Sequence, residues 1–271
     1  MTDTWRLLLT PPAGGAWNMA VDEAVLEHIG RGLSQPTLRL YAWVPPCLSL
    51  GQAQPIADVD LERLQQRGWG LVRRPTGGRA ILHTDELTYS IIAPEDEPRM
   101  AGSVLESYNR LAAALLEAVK SLHLPAEVKE GKDSNQETAN PICFETPSAY
   151  EITVERKKLI GSAQARRKEG VLQHGSLPLT GDLKRITEVL SFTDEAARRS
   201  AGRRLLEHAT TVHSSLGREV KWNDAAQAFV WGFESRLELA LEEGVLSDGE
   251  RKRADELVLE KYGRSSWNYK I

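Results

Sequence analysis

The sequence predicts an α/β (α+β) fold: one domain over residues 1–271, with a helical C-terminal extension from about 181 to 271. Three observations carry this. Short β-branched and aromatic runs bounded by Gly and Pro recur through the first 180 residues. Between them, two longer segments place apolar residues at helical spacing. Beyond Thr180 the pattern turns helical, and no repeat, low-complexity linker or shift in composition splits the chain.

In order, Trp5 to Leu9 reads as a strand closed by Pro11-Pro12 and Gly14-Gly15. Residues 16–29 form a helix with Trp17, Val21, Ala24, Val25 and His28 on one face, and His28 reads as a helix-surface histidine. Thr37 to Trp43 alternates as a strand, and Cys47 to Gly51 continues as a short buried run. Asp58 is a candidate N-cap for a short helix to Arg67. Gly68 to Arg73 leads into RRPTGGRAILH (73–83), where adjacent glycines let backbone N–H groups approach an anion, or simply turn a β-hairpin. Leu87 to Ile92 is a strand, and Ser103 to Leu122 is the clearest helix.

Residues 131–141, GKDSNQETANP, are polar without periodicity and predict an exposed, mobile loop. Tyr150, Ile152 and Val154 alternate with Glu151 and Thr153 as a half-buried strand, and two further strands follow, through Lys157–Ala163 and Val171–Leu177. Asp224 with Gln227 resembles a capping box, before a helix with Phe229, Phe233, Leu237 and Leu241 on one side. A last helix spans Asp248 to Tyr262.

Composition narrows the function. The net charge of −4 gives no global basic field to hold nucleic acid. Cys47 and Cys143 are too few for a disulfide framework, so both thiols are expected free, in a reducing compartment. The N-terminus lacks a signal-peptide layout and no apolar run reaches membrane-spanning length, which predicts a soluble cytoplasmic protein with no membrane partner. No Cys, His, Asp and Glu cluster shows ligand spacing, so no metal and no cofactor is expected.

The residues themselves leave the chemistry open. Cys143 could be a nucleophile if a nearby cation such as Lys158 lowers its thiol pKa, or a small buried residue in an Ile-Cys-Phe run. Lys157 and Lys158 point to opposite faces of their strand, so at most one of them faces a site there. His83 and His174 could carry protons or serve as packed polar residues.

Three ordered stretches then resemble one superfamily. RRPTGGRAILH (73–83) resembles the Arg-Arg-x-Thr-Gly-Gly-x-Ala-x-x-His motif of lipoate–protein ligase A and the octanoyltransferases. KLIGSAQ (158–164) is similar to its Lys-x-x-Gly-Ser-Ala motif, and YAWVPPCLSLGQAQ (41–54) to its Tyr-x-Trp…Ser-x-Gly-x-x-Gln segment. ICFETPSAYEITV (142–154) with LQHGSLPL (172–179) most closely resembles the LipM-type octanoyltransferases.

The resemblance implies a mixed sheet flanked by helices, the fold shared with biotin protein ligases. It implies transfer of octanoate from octanoyl-acyl carrier protein to a lysine of a lipoyl domain, typically the glycine cleavage H protein. Cys143 then matches the acyl-carrying nucleophile and Lys158 its catalytic partner. Arg73, Gly77, Gly78, His83, Gly161, Ser162 and His174 match the substrate pocket. Ala80, Ile81, Leu82 and Leu159 are candidate walls for an acyl tunnel, where each buried methylene is worth roughly 0.8 kcal/mol.

Two departures matter. Glu155-Arg156 stands where relatives often have glycine, so the hairpin is expected to take another turn type. Arg79 replaces a glycine frequent in the ligases and weakens the case for an adenylate site. The alternatives are an ATP-dependent lipoate–protein ligase, a lipoyl-domain amidotransferase, and a non-catalytic scaffold that binds lipoyl or biotinyl domains.

Overall fold

The computed structural model describes residues 3–129, 142 and 151–271. Cys143 and the 131–141 segment lie outside the described residues. The chain begins β1 (Asp3–Leu9), α1 (Gly15–Gly30), β2 (Thr37–Tyr41), β3 (Cys47–Leu50), α2 (Leu61–Gln66) and β4 (Gly70–Arg73). It continues β5 (Ile81–His83), β6 (Glu86–Ala93), α3 (Val104–Ser121), β7 (Ala126–Lys129), β8 (Glu151–Val154), β9 (Lys157–Arg167) and β10 (Gly170–Pro178). The C-terminal part comprises α4 (Glu195–His208), α5 (Val212–Leu216), α6 (Trp222–Leu237), β11 (Leu239–Gly244), α7 (Asp248–Leu257) and α8 (Ser265–Asn268).

Among the described residues, eight strands form one mixed sheet in the order β11-β1-β2-β6-β10-β9-β8-β7, and β4-β3-β5 form a second, small sheet. β1 is parallel to β2 and β11, and the pairings from β2 through β7 are antiparallel. Neighbouring residues part to opposite faces, as the strand period of two requires. Leu7, Ile91 and Val171 join the core under α3 and α6, whereas Leu8, Ile92 and Leu172 join the core under α1 and α7. With both faces covered, β2, β6 and β10 are buried along their whole length.

Several local expectations change. The 73–83 stretch is not a hairpin: β4 runs parallel to β3 on one side, and β5 pairs antiparallel to it on the other. The Gly77-Gly78 loop therefore crosses over β3. The cap of α2 is Asp60, whose carboxylate accepts from the Arg63 N–H, rather than Asp58. Lys221 precedes α6 without a side-chain cap, so Asp224 lies inside that helix. Helix α6 stops at Leu237 because Glu238 turns left-handed, and Leu241 belongs to β11 at the edge of the main sheet. The C-terminal stretch is thus mostly helical yet completes the sheet. A π turn over Val258–Tyr262 follows α7. His28 is buried beside α7 and bonds the Ala24 carbonyl at 2.8 Å.

Candidate active site

A cavity of about 440 Å³ opens between the small sheet and the face formed by β6, β10 and β9. His83, Gly78, Gly161, Ser162 and His174 all line it, so five residues from three distant stretches converge on one space.

The glycine loop reaches it through Arg74. The Arg74 fork donates to the carbonyls of Ser49 (3.0 Å), Gly77 (2.8 Å) and Arg79 (2.8 Å). Gly78 sits at φ +89°, open to glycine without strain. Gly51 passes beneath it so closely that a Cβ there would fall 1.8 Å from the Gly78 carbonyl oxygen. Arg73 turns the other way. Its guanidinium donates to the carbonyls of Gly51 (2.9 Å), Gln54 (2.6 Å) and Asn268 (3.0 Å), which ties the C-terminal tail to β4. Arg74, not Arg73, lines the cavity. Gly77 serves through its carbonyl, and a Cβ on it would meet open space.

His83 is held on three sides. Its ring stacks on Trp43 at 3.9 Å and 9°. Nδ1 lies 2.6 Å from Glu86 Oε1, and Nε2 lies 2.7 Å from Ser49 Oγ. An ionised carboxylate only accepts, so Nδ1 carries the proton and Nε2 takes the Ser49 hydroxyl proton. Trp43 Nε1 donates to Thr88 Oγ1 at 2.7 Å, and Thr88 donates on to Glu86. This buried hydroxyl–imidazole–carboxylate chain can move a proton at Nε2. Ser49 and Glu86 carry no signal of their own in sequence; Ser49 was visible only as part of the 41–54 resemblance.

His174 belongs to a second network. Asp22 accepts from Arg39 (2.7 Å), Ser90 (2.9 Å) and Tyr41 (3.2 Å), with all four side chains buried. Burial alone would raise the Asp22 carboxyl pKa, but Arg39 and His174 outweigh it and hold the group below its ordinary value. His174 Nδ1 faces Asp22 at 3.5 Å and Nε2 meets Thr76 Oγ1 at 2.6 Å. Burial lowers the His174 pKa despite Asp22, so the ring is neutral at pH 7 and the pair is a polar contact rather than an ion pair.

Lys158, on β9, is not among the residues that line this cavity. Its Nζ lies 2.6 Å from Glu151 Oε1, and both side chains are buried. Ile152 pairs with Ile160 and Thr153 with Lys158, which leaves Leu159 as an extra residue in a β-bulge. Leu159 and Ile160 both join the core under α3, and Leu159 does not line the cavity. The bulge turns Lys158 to the face opposite that core, with Glu151 and Thr153. Its neighbour Lys157 lines a separate surface groove. The Glu155-Arg156 turn has φ of +49° and +67°, the two positive values of a type I′ hairpin turn.

Cys47 is a packed core thiol, as its setting between proline and leucine predicts. Burial pushes its pKa up to about 12. Ile142, the residue before Cys143, pairs with Ala80 and is buried. It lines a neighbouring cavity of about 470 Å³ that shares Ile81 with the first. Among the described residues, no group of three or more His, Cys, Asp or Glu could hold a metal ion. Nor, among them, is any helix long and apolar enough to cross a membrane.

The lipoyl protein ligase A/B catalytic-domain family matches residues 15–234, which hold the small sheet, β2 and β6 through β10 of the main sheet, and every cavity residue above. The chain belongs to that family.

Relatives in the family span its full length. The octanoyltransferase LipM of Kyrpidia tusciae is 43% identical over 98% of this chain and 99% of its own. That of Brevibacillus brevis is 40% identical over the same shares. Among solved structures, an archaeal lipoylation system from Thermoplasma acidophilum, a bipartite lipoate protein ligase with its E2 lipoyl domain, superposes with a TM-score of 0.82 at 25% identity, covering 98% of this chain and 96% of that one. A lipoate-protein ligase A bound with ATP gives 0.79 at 25% identity, over 99% of both chains. The fold expected from the sequence, a mixed sheet flanked by helices as in lipoate ligases, is the fold of this lipoyl ligase A/B chain.

Proposed function

We propose that this protein is an octanoyltransferase of protein lipoylation. It takes octanoate from octanoyl-acyl carrier protein and places it on a lysine of a lipoyl domain, such as the glycine cleavage H protein, by way of a thioester on Cys143. The observation that carries the reading is Ile142. This covalent neighbour of Cys143 is anchored to Ala80 of the glycine-loop stretch, against a wall shared with the cavity of His83 and Gly161.

The chemistry balances without ATP. The Cys143 thiolate attacks the donor thioester carbonyl, the C–S bond to the carrier breaks, and the carrier thiol leaves with a proton. The acceptor lysine amine then attacks the enzyme thioester, and Cys143 leaves as the amide forms. Each tetrahedral intermediate carries an oxyanion, which the Lys158 ammonium can stabilise in a site shielded from water. Glu151, 2.6 Å from that ammonium nitrogen, holds and aims it. The apolar part of the cavity, with Met19, Trp43 and Ile81, suits a saturated chain. In the second step the acceptor amine must lose a proton, and the His83 Nε2 site can accept one.

The test is intact mass after incubation with octanoyl-acyl carrier protein. One octanoyl adduct is expected, lost in Cys143→Ser. No adduct, or one that survives Cys143→Ser, sinks the reading. The likeness to an ATP-bound lipoate-protein ligase A favours a second reading, an ATP-dependent ligase. Lipoate-dependent ATP–pyrophosphate exchange that persists in Cys143→Ser would establish it instead.

A further inference from the structure

We propose that the basic flank of α4, together with Lys184 and Lys157, docks the acidic carrier protein that presents the acyl thioester. This rests on the octanoyltransferase reading and names the surface through which its donor arrives.

The chain as a whole is acidic, at −4. Helix α4, EAARRSAGRRLLEH, runs against that balance. Arg198, Ala201, Gly202 and Leu205 face inward. Arg199, Arg203 and Leu206 recur three and four residues apart on one flank and are exposed. Neither Arg199 nor Arg203 makes an ion pair among the described residues. Lys184 lies along the same flank, since a Cβ on Gly202 would sit 3.4 Å from its Cγ and Cδ.

The Leu206 end of this flank borders a groove of about 770 Å³ whose wall includes Lys157, Lys184, Leu183, Leu206 and Thr210. The groove ends at the catalytic strand: Ala209 bridges Lys158, and the Thr210 N–H donates to the Lys158 carbonyl at 3.0 Å. Asp182, 3.6 Å from Lys184, is the acid of its wall. A solvated basic helix face would need no such placement. Here Lys157, Lys184 and the 38% exposed Leu206 line a groove whose wall meets the Lys158 backbone, and Arg199 and Arg203 share the Leu206 flank. That arrangement suits a partner with an acidic rim, an apolar spot and a thioester on a flexible arm. Opposite charges around the contact would steer encounter and fix its orientation.

The test compares wild type with the Arg199→Glu/Arg203→Glu variant in two measurements. The first is loading of Cys143 from octanoyl-acyl carrier protein and from octanoyl-pantetheine, which has the same thioester without the protein. The variant is expected to raise KM for the carrier-borne donor about tenfold, flatten its salt dependence, and leave pantetheine loading unchanged. Equal losses with both donors, no loss with either, or a defect confined to transfer onto the H protein overturns the docking surface. The second is fluorescence-anisotropy binding of the acyl-free carrier protein at low salt. Binding by wild type that the variant loses supports the surface even if no acyl group is ever transferred, in which case the octanoyltransferase reading alone fails. No saturable binding by wild type overturns the surface.

Discussion

The Lys158 ammonium nitrogen lies 2.6 Å from Glu151 Oε1, and neither side chain reaches solvent by more than a few per cent. A pair so buried is costly to break and nearly neutral to replace as a whole. Glu151→Gln keeps the shape and removes the charge. It is expected to lower unfolding stability by on the order of 3 kcal/mol and to slow acyl loading by about tenfold or more. Urea denaturation and single-turnover loading check both. A Glu151→Met/Lys158→Met protein should regain much of the stability and none of the activity. Unchanged loading in Glu151→Gln would separate the ion pair from the chemistry.

The two cysteines should differ sharply toward alkylation. The Cys47 thiol, pushed up to about 12 by burial, is unreactive at neutral pH in the folded chain. Iodoacetamide is expected to label one thiol per native chain, with none labelled in Cys143→Ser and Cys47 reacting only in denaturant. Peptide mass mapping reads this directly. Native labelling of Cys47 would contradict its place in the core.

Gly51 and Gly78 touch through backbone alone. Gly51→Ala would drive a methyl group to within 1.8 Å of the Gly78 carbonyl, so the glycine loop must move. The expected cost is roughly 2 kcal/mol of stability, with a larger loss of acyl loading as Arg74 and Gly78 leave the cavity wall. Alanine at Gly77, where a Cβ meets open space, is the control and should cost much less. Equal effects at both positions would refute a steric cause.

The His174 network gives a signed pH dependence. In the unfolded chain the ring takes up its proton near pH 6.5, while burial lowers its pKa in the folded chain. The unfolded state therefore binds more protons below about pH 6.5, and stability falls as pH drops through that window. Asp22 acts lower still: its folded pKa is depressed by Arg39 and His174, so its contribution persists until pH falls below the ordinary carboxylate range. His174→Gln is expected to have a smaller loss of urea midpoint between pH 7 and 5 than wild type. A slope identical to wild type would show that His174 does not titrate across folding.

Much of the architecture is legible where periodicity and caps agree. Helix α3 shows this best: its apolar face and the Ser103–Glu106 capping box are both local features, and both form. Helix α6 shows the opposite. Leu241 continues its spacing, yet Glu238 ends the helix and β11 pairs with β1, more than 200 residues away in sequence. No local pattern announces a parallel partner so distant, because edge pairing depends on where the whole sheet leaves room.

The site divides along the same line. The sequence by itself named the candidates as types, through ordered motifs that resemble one superfamily: a thiol at Cys143, an amine at Lys158, a glycine pair and two histidines. Local composition could say no more, since each of those residues is equally at home in packing. Tertiary structure alone decided that Arg74 rather than Arg73 faces the cavity, because consecutive residues leave a strand on opposite sides and Asn268 claims one of them. It also recruited Ser49 and Glu86 to His83, and Glu151 to Lys158, contacts made across strands. Finally, a single bulged residue, Leu159, turns Lys158 to the face opposite the α3 core. A shift of one residue reverses every side chain beyond it, and only the pairing of β9 with β8 fixes where that shift falls.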